Sequence, residues 1–378
     1  MFGRMMNNYY YGKSGKGDFR KDDMPETRMQ LFWDTLRTRL SGLFRLNLLY
    51  MLIWLPAMIV LLVNAGGLWD RMQMQSAVIS NSYSEYAATA TEKGLEVTIS
   101  EEEYNALRNS LLVLNDASYE AYLERVGSEN EDNLTAEQFQ YFRSNTATGL
   151  QNDLLKLLLW LIPCIAITGP FTAGLSYVTR NWARDEHAFI WSDFRDAVKA
   201  NWKIPLVLST ITGILPGALY AGWLTYGNMA AGNPIMVAPQ AMVALVGILW
   251  ALMITYMHPL TVTYDLKLTS VIRNGFLLAV ARLPFSIGIR LLHCVPTLIA
   301  FVAVWFFGLD PLLGLVILCG YYMLVGFSLS RFITASYTNA VFDRFINSRI
   351  EGAKVNQGLR QEDDEAEDED ETEKETEE

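Results

Sequence analysis

The chain has 378 residues, 51% of them hydrophobic and 19% charged, with a formal net charge of −11. That charge is sorted into blocks: Gln361–Glu378 contributes −12 and residues 70–150 contribute −9, so the remainder carries +10. Between the blocks lie apolar runs of roughly 20 residues, which exclude an ordinary soluble domain, and the runs do not alternate in polarity as the strands of a membrane barrel would.

The opening 30 residues are polar, basic and rich in tyrosine, with no apolar stretch ahead of the first long run, so that run reads as an uncleaved signal anchor. Residues 1–45 are expected to hold an interfacial helix over Pro25–Leu46. There Pro25 stands at the helix start, and Met29, Phe32, Leu36, Leu40 and Leu43 form an apolar stripe. Span one follows at 46–66. Residues 70–150 form an acidic loop long enough for a small helical domain. Ser100 and Glu103 match a capping box, and Tyr104, Leu107, Leu111 and Leu114 keep helical period, so one helix is expected over Ser100–Val126. Thr135 and Gln138 repeat the capping pattern ahead of Phe139 and Phe142, which predicts a helical hairpin.

Residues 154–333 contain the other five spans, expected at Leu154–Leu175, Ile204–Thr225, Ala241–Thr261, Phe285–Trp305 and Leu312–Ile333. Residues 334–360 read as a cytoplasmic helix end. Residues 361–378 are a low-complexity acidic tail without aromatics, expected to be disordered. The fold class is therefore all-α: a polytopic bundle of six spans with interfacial helices and a small helical insert.

Lysine and arginine beside the spans set the orientation. Arg20 to Arg45, Arg180 to Lys203, Lys267 to Arg282 and Arg344 to Lys354 flank alternate span ends, whereas Tyr226–Gln240 and Phe306–Pro311 carry no positive charge. Six spans with both termini cytoplasmic and residues 70–150 extracellular satisfy every loop.

Three segments on the basic side repeat one plan, a short interfacial helix followed by an ascending and a descending span, with Pro25–Leu46 as the weakest copy. After span two, Ser192 is a candidate N-cap, Asp193 and Asp196 suit the first turn, and Lys199 and Lys203 suit the last. Trp191, Phe194, Val198 and Trp202 form a stripe, a candidate docking face on a helix lying in the membrane interface. Pro205 then opens span three. Thr269 or Ser270 would cap the second copy, Ile272, Phe276, Ala279 and Leu283 make its stripe, and Pro284 opens span five.

Ionisable groups inside spans are functional candidates. Arg290 and His293, three residues apart on one face of span five, are the leading pair. Asn47 and Asn64 bracket span one and suit bonds between helices; His258, beside Pro259, suits a bundle contact. Gly169-Pro170 and Pro216-Gly217 are candidate breaks or kinks; in transporters such breaks expose backbone to substrate, and in other bundles they allow close packing. Asp185, Glu186 and His187 form a local carboxylate–histidine cluster without metal spacing, and no P-loop, HExxH or GxSxG pattern occurs. The three cysteines, Cys164, Cys294 and Cys319, lie within spans and match neither a metal site nor a disulfide framework. No enzyme activity, cofactor or nucleic-acid partner is expected, and the lipid bilayer is the expected environment.

The opening MFGRMMNN, the run NLLYMLIWLP and the segment TAGLSYVTRNWARDEHAFIWSDFRDAVKANWK resemble the YesL-like family, bacterial membrane proteins classed as a domain of unknown function. Arg184, Asp185 and Glu186 resemble that family's charged loop, and Phe194 and Asn201-Trp202 its aromatic helix. Val198 departs from the usual aromatic and Trp202 from the usual phenylalanine, and the insert and tail are additions. The resemblance implies a Gram-positive plasma-membrane protein that acts as an accessory in carbohydrate uptake, with sugar ABC transporter subunits as partners and no catalytic residues. The alternatives are a small-solute transporter or channel in its own right and, last, a membrane lipid or glycan enzyme.

Overall fold

A computed structural model describes residues 24–80, 82–92, 97, 99–114, 118–126 and 133–360. The opening MFGRMMNN and the acidic tail 361–378 lie outside the described residues. Every regular element among the described residues is a helix. Six stretches are long and apolar enough to cross a bilayer: Arg28–Trp69, Gln151–Trp182, Lys203–Gly232, Pro234–Thr263, Leu283–Phe307 and Pro311–Arg349. Each contains one of the six expected spans, so the protein is an all-α polytopic bundle.

Helix α1 (Arg28–Ser80) runs unbroken for 53 residues. The separate interfacial helix expected over Pro25–Leu46 is therefore not formed. No proline stands between Arg28 and span one to break the helix, and part of the stripe is turned into the bundle: Leu43 is fully buried and Phe32 stacks on Phe332 at 5.3 Å, whereas Met29 and Leu40 are exposed.

Past its span, α1 continues into the insert, and α5 (Ala136–Trp182) begins there before it crosses. Between them lie α2 (Tyr83–Glu92), α3 (Glu101–Leu114) and α4 (Tyr119–Val126). The single helix expected over Ser100–Val126 is thus two, α3 and α4. Both capping boxes form. Glu103 accepts from the Ser100 N–H at 2.9 Å, and Gln138 accepts from the Thr135 N–H at 2.9 Å. Two small aromatic cores hold the insert, one on Tyr104 and Leu111, the other on Tyr122, Leu134 and Phe139.

The rest of the bundle is α6 (Ile190–Asn201), α7 (Lys203–Gly232), α8 (Val237–Thr263), α9 (Leu268–Ala281), α10 (Leu283–Phe307), α11 (Pro311–Tyr321) and α12 (Phe327–Phe345). A π-helical turn, Tyr322–Gly326, joins α11 to α12 within span six. Short helix followed by two spans thus occurs at 190–263 and again at 268–345, and not a third time at the start of the chain, where α1 is a single helix. One core lies among α1, α5, α6 and α12, around Leu175, Trp182 and Phe332. A second lies among α7, α8, α9 and α12, around Tyr256, Met257 and Phe342.

The candidate breaks are not breaks. Pro163 and Pro170 lie inside α5, and Pro216 lies inside α7, each a continuous helix. Gly169 instead permits close packing: a β-carbon there would sit 2.2 Å from the carbonyl oxygen of Pro205 on α7. Small residues that let backbones approach are a main source of helix association in lipid.

The two ends of the described chain meet. Arg360 donates its N–H to the Pro25 carbonyl at 3.2 Å, and Arg28 forms an ion pair with Asp343. Asp343 also accepts from Asn347 at 2.6 Å and from the Asn356 N–H at 3.2 Å. Arg184, in the loop after span two, donates to Gln357. These contacts gather one set of arginine-rich ends on a single face, the basic face, as an even number of crossings requires.

Candidate functional site

Span five packs loosely. Of the residues in α10, Ser286 alone is buried. Lipid tails are as apolar as leucine, so no hydrophobic force draws an apolar helix onto its neighbours, and packing and polar bonds must hold it. In α10 the bonds come from one face. The Ser286 hydroxyl meets the Tyr256 hydroxyl at 2.6 Å. Arg290 donates to the Ala251 carbonyl and, at 2.9 Å, to Thr255 Oγ1. His293 Nε2 lies 3.1 Å from the Ser330 carbonyl and 3.4 Å from Thr334 Oγ1.

Behind this face is a cavity of about 130 Å³ between α1, α8, α10 and span six. Its polar lining comes chiefly from Tyr50, Trp54, Thr255, Arg290, His293 and Arg331. Arg290 stands seven residues into α10, about 10 Å along it at 1.5 Å per residue. None of the described lining residues is an aspartate or glutamate. Several donors are unmet: Arg290 Nε and the Trp54 indole N–H have no partner among the described residues. The Arg331 guanidinium likewise has no hydrogen-bond or ion-pair partner among them. Arginine and tryptophan side chains donate and cannot accept, so the cavity presents positive charge and spare N–H groups. That chemistry suits holding an acceptor.

The candidate residues separate in space. Arg290 and His293 come together in the cavity wall. Asn47 is not in the wall but supports it: its Nδ2 donates to the Tyr322 and Met323 carbonyls at 2.9 and 2.8 Å, and its Oδ1 accepts from the Ser328 N–H at 2.9 Å. A π-helical turn displaces the regular ladder, and the Asn47 amide satisfies the groups it frees. Asn64 bonds within its own helix, to the Val60 carbonyl at 2.7 Å, and does not reach the site. His258 is buried outside the cavity lining. Neither Pro170 nor Pro216 lines the cavity.

The stripe on α6 is not one face. Phe194 is 4% exposed, Trp191 62% and Trp202 46%. Phe194 and Val198 press on Gly174 of α5, where a β-carbon would lie 2.8 Å from the Phe194 carbonyl oxygen and from Val198 Cγ2. The two tryptophans point away from the bundle. The helix begins earlier than expected: Phe189 is the N-cap residue, its N–H donated to Asp193 at 2.8 Å, and Ser192 sits inside the first turn. Helix α9 also starts early, after Lys267, and buries Val271, Gly275, Leu278 and Ala279. Of its expected stripe, Phe276 and Leu283 are exposed. Gly275 explains the rotation, since Met257 of α8 fits against its bare Cα.

Asp185, Glu186 and His187 are taken up by the turn itself. Asp185 adopts a left-handed φ of 56°, Glu186 lies 3.5 Å from Arg184, and His187 stands edge-on to Phe189 at 4.7 Å.

Sequence reasoning missed Arg331, Tyr50, Trp54 and Thr255. The signal for Arg331 was an arginine within an apolar run, hidden because it stood third from a span end. Nothing local marks the other three, which are ordinary span residues until three helices converge on them.

A family model described as "Protein of unknown function, DUF624" matches residues 152–223. That stretch covers most of span two, the turn, α6 and most of α7, the unit built on the Gly169–Pro205 approach; of the cavity lining it includes Leu175 alone. No curated protein and no solved structure matches the chain.

Proposed function

We propose that the chain is a membrane-embedded solute-binding protein, a carrier or a receptor within the bilayer, rather than an enzyme. The observation that carries this is the cavity at Arg290 and Arg331, where charged and polar donors stand unmet inside an apolar bundle. Ionisable groups are costly there and are otherwise paired. Membership of the YesL-like group and a bacterial plasma-membrane location rest on the sequence resemblance; the match over residues 152–223 is to a family of unknown function. The excess of lysine and arginine assigns the basic face to the cytoplasm and the insert to the outside.

The test is thermal unfolding of the purified protein in neutral detergent against sugars, amino acids, inorganic anions and cations. At least one soluble class should raise the melting temperature by several degrees. Thr255→Met, which pushes a longer side chain into the cavity, should remove the response. A wild-type protein indifferent to every class and to anionic lipid would defeat the reading.

A second reading, an accessory subunit of a sugar ABC transporter, is favoured by Trp191 and Trp202, which α6 presents away from the bundle. An apolar cavity of about 150 Å³ holds one benzene, so a 130 Å³ cavity is tight for a hydroxylated sugar ring. A role in sugar uptake would then act through contact with the transporter. Trp191→Ala with Trp202→Ala should reduce co-purification of permease or ATPase subunits in mild detergent while leaving the melting temperature unchanged; a chain that purifies alone defeats this reading.

A further inference from the structure

We propose that the occupant of the cavity is a phosphate-sized oxyanion clamped between Arg290 and Arg331. This rests on the solute-binding reading above and narrows it to one chemistry. Two guanidinium groups line one 130 Å³ space, and no described residue of the lining carries a negative charge. A buried charge without a counter-charge is strongly destabilising, because desolvation is not repaid. The protein supplies Arg290 with neutral acceptors, Ala251 and Thr255, which satisfy one amino group and cancel no charge. Its Nε and the Trp54 N–H remain unmet among the described residues, and the partly buried Arg331 has no hydrogen-bond or ion-pair partner among them.

The acceptors nearby are already engaged. The Ser330 carbonyl faces His293 and receives the Thr334 hydroxyl at 2.8 Å, and the Tyr50 hydroxyl is bonded to Thr172 at 2.6 Å. The missing partner is therefore an acceptor with negative charge. A planar guanidinium offers paired N–H groups that match two oxygens of a phosphate, sulfate or carboxylate, and such charge-assisted bonds are roughly twice as strong as neutral ones. The volume suits such a group, being slightly less than that of a cavity that holds benzene. Arg290 is about 10 Å along its helix from the basic face, within reach of a soluble anion from that side or of a lipid headgroup. Both sources bring the same chemistry.

The experiment uses the full chain in maltoside detergent and in phosphatidylcholine nanodiscs. The probes are inorganic phosphate, sulfate and glucose, each against chloride at matched ionic strength; nanodiscs containing phosphatidylglycerol form a separate arm. Phosphate or sulfate should raise the melting temperature by several degrees over chloride. Arg331→Met should abolish that shift while melting in chloride at or above wild type, since an uncompensated charge has been removed. Arg331→Lys, which keeps the charge and loses the fork, should weaken binding at least tenfold and serves if the methionine variant fails to fold. A response to phosphatidylglycerol but not to free phosphate identifies the headgroup as the source. The proposal is overturned if no anion, free or lipid-borne, acts beyond chloride, or if Arg331→Met keeps the full shift. If glucose binds, loses its effect in Thr255→Met, and no anion acts, the oxyanion falls and the solute-binding reading stands; if nothing binds, both fall.

Discussion

Replacing Gly169 by alanine tests whether the approach of α5 to α7 sets the shape of the bundle. The new β-carbon would lie 2.2 Å from the Pro205 carbonyl oxygen, 2.7 Å from its carbon and 2.9 Å from Leu206 Cα. All three atoms are backbone, so no side-chain rotation relieves the overlap. Reaching an ordinary contact of 3.4 Å requires the facing carbonyl to retreat by about 1.2 Å. Overpacking of this kind costs about 1–3 kcal/mol. Gly217→Ala is the control: it lies on α7 with nothing within 4 Å of the new atom. There the helix gains the roughly 0.5–1 kcal/mol by which alanine exceeds glycine. Both glycines lie inside helices, so that gain is common to the two variants, which should differ by the overpacking cost alone, about 1–3 kcal/mol. Thermal unfolding in detergent, followed by a thiol-reactive dye reporting on buried Cys319, measures the difference. If Gly169→Ala melts as high as Gly217→Ala, the close approach is not what holds α5 to α7.

Asn47→Leu should cost several kcal/mol, since it strands two carbonyls of the π-helical turn and the Ser328 N–H at the start of α12 at about 1–3 kcal/mol each; Asn64→Leu, which loses one bond inside its own helix, should stay within about 0.5 kcal/mol of wild type in the same melt. Asp343→Ala removes the acceptor shared by Arg28, Asn347 and Asn356, and should speed tryptic cleavage at Arg349 and Lys354 in a timed digest. Burial, then the nearby Asp343 charge, pushes the Tyr264 hydroxyl up to about 12 from an ordinary 10.0. The folded state therefore binds this proton more tightly than the unfolded state. Its contribution is complete below pH 10 and is lost as pH rises towards 12. Alkaline unfolding of Tyr264→Phe should show a shallower loss of stability over that window than wild type; identical slopes would refute it.

The six crossings were legible because an apolar run of about 20 residues has one stable arrangement in a bilayer, a helix. The capping pairs at Ser100 and Thr135 were legible for a similar reason, since both partners lie within four residues. The stripe expected on α9 holds at Ala279, which is buried, and partly at Ile272, but Phe276 and Leu283 are exposed and Val271 and Leu278 are buried beside them. Periodicity reports where apolar residues fall, but in lipid an apolar residue is at home on either side of the helix. What chose Val271 and Leu278 over Ile272 and Phe276 was the fit of Met257 against Gly275. The same loss of contrast hid the division of the α6 stripe into buried Phe194 and exposed tryptophans.

For Gly169-Pro170 and Pro216-Gly217 the sequence left a break or kink, from the carbonyl that a missing N–H frees, open beside simple close packing. Both helices stay continuous, and the glycine serves contact with Pro205 instead. Arg290 and His293 could be singled out one turn apart within a single helix. The second guanidinium of the site, on Arg331, is about 40 residues away, and Tyr50 and Trp54 lie on the first span. No local pattern connects such residues.

The number, length and helical nature of the crossings were thus determined by the sequence alone, because the cost of an unpaired backbone group in hydrocarbon leaves no other choice. Tertiary structure decided which face of each helix is inside, because lipid and core are equally apolar and shape, glycine contact and polar bonds must decide. It also brought the two arginines around one small space, and with them an electrostatic demand that neither span carries by itself.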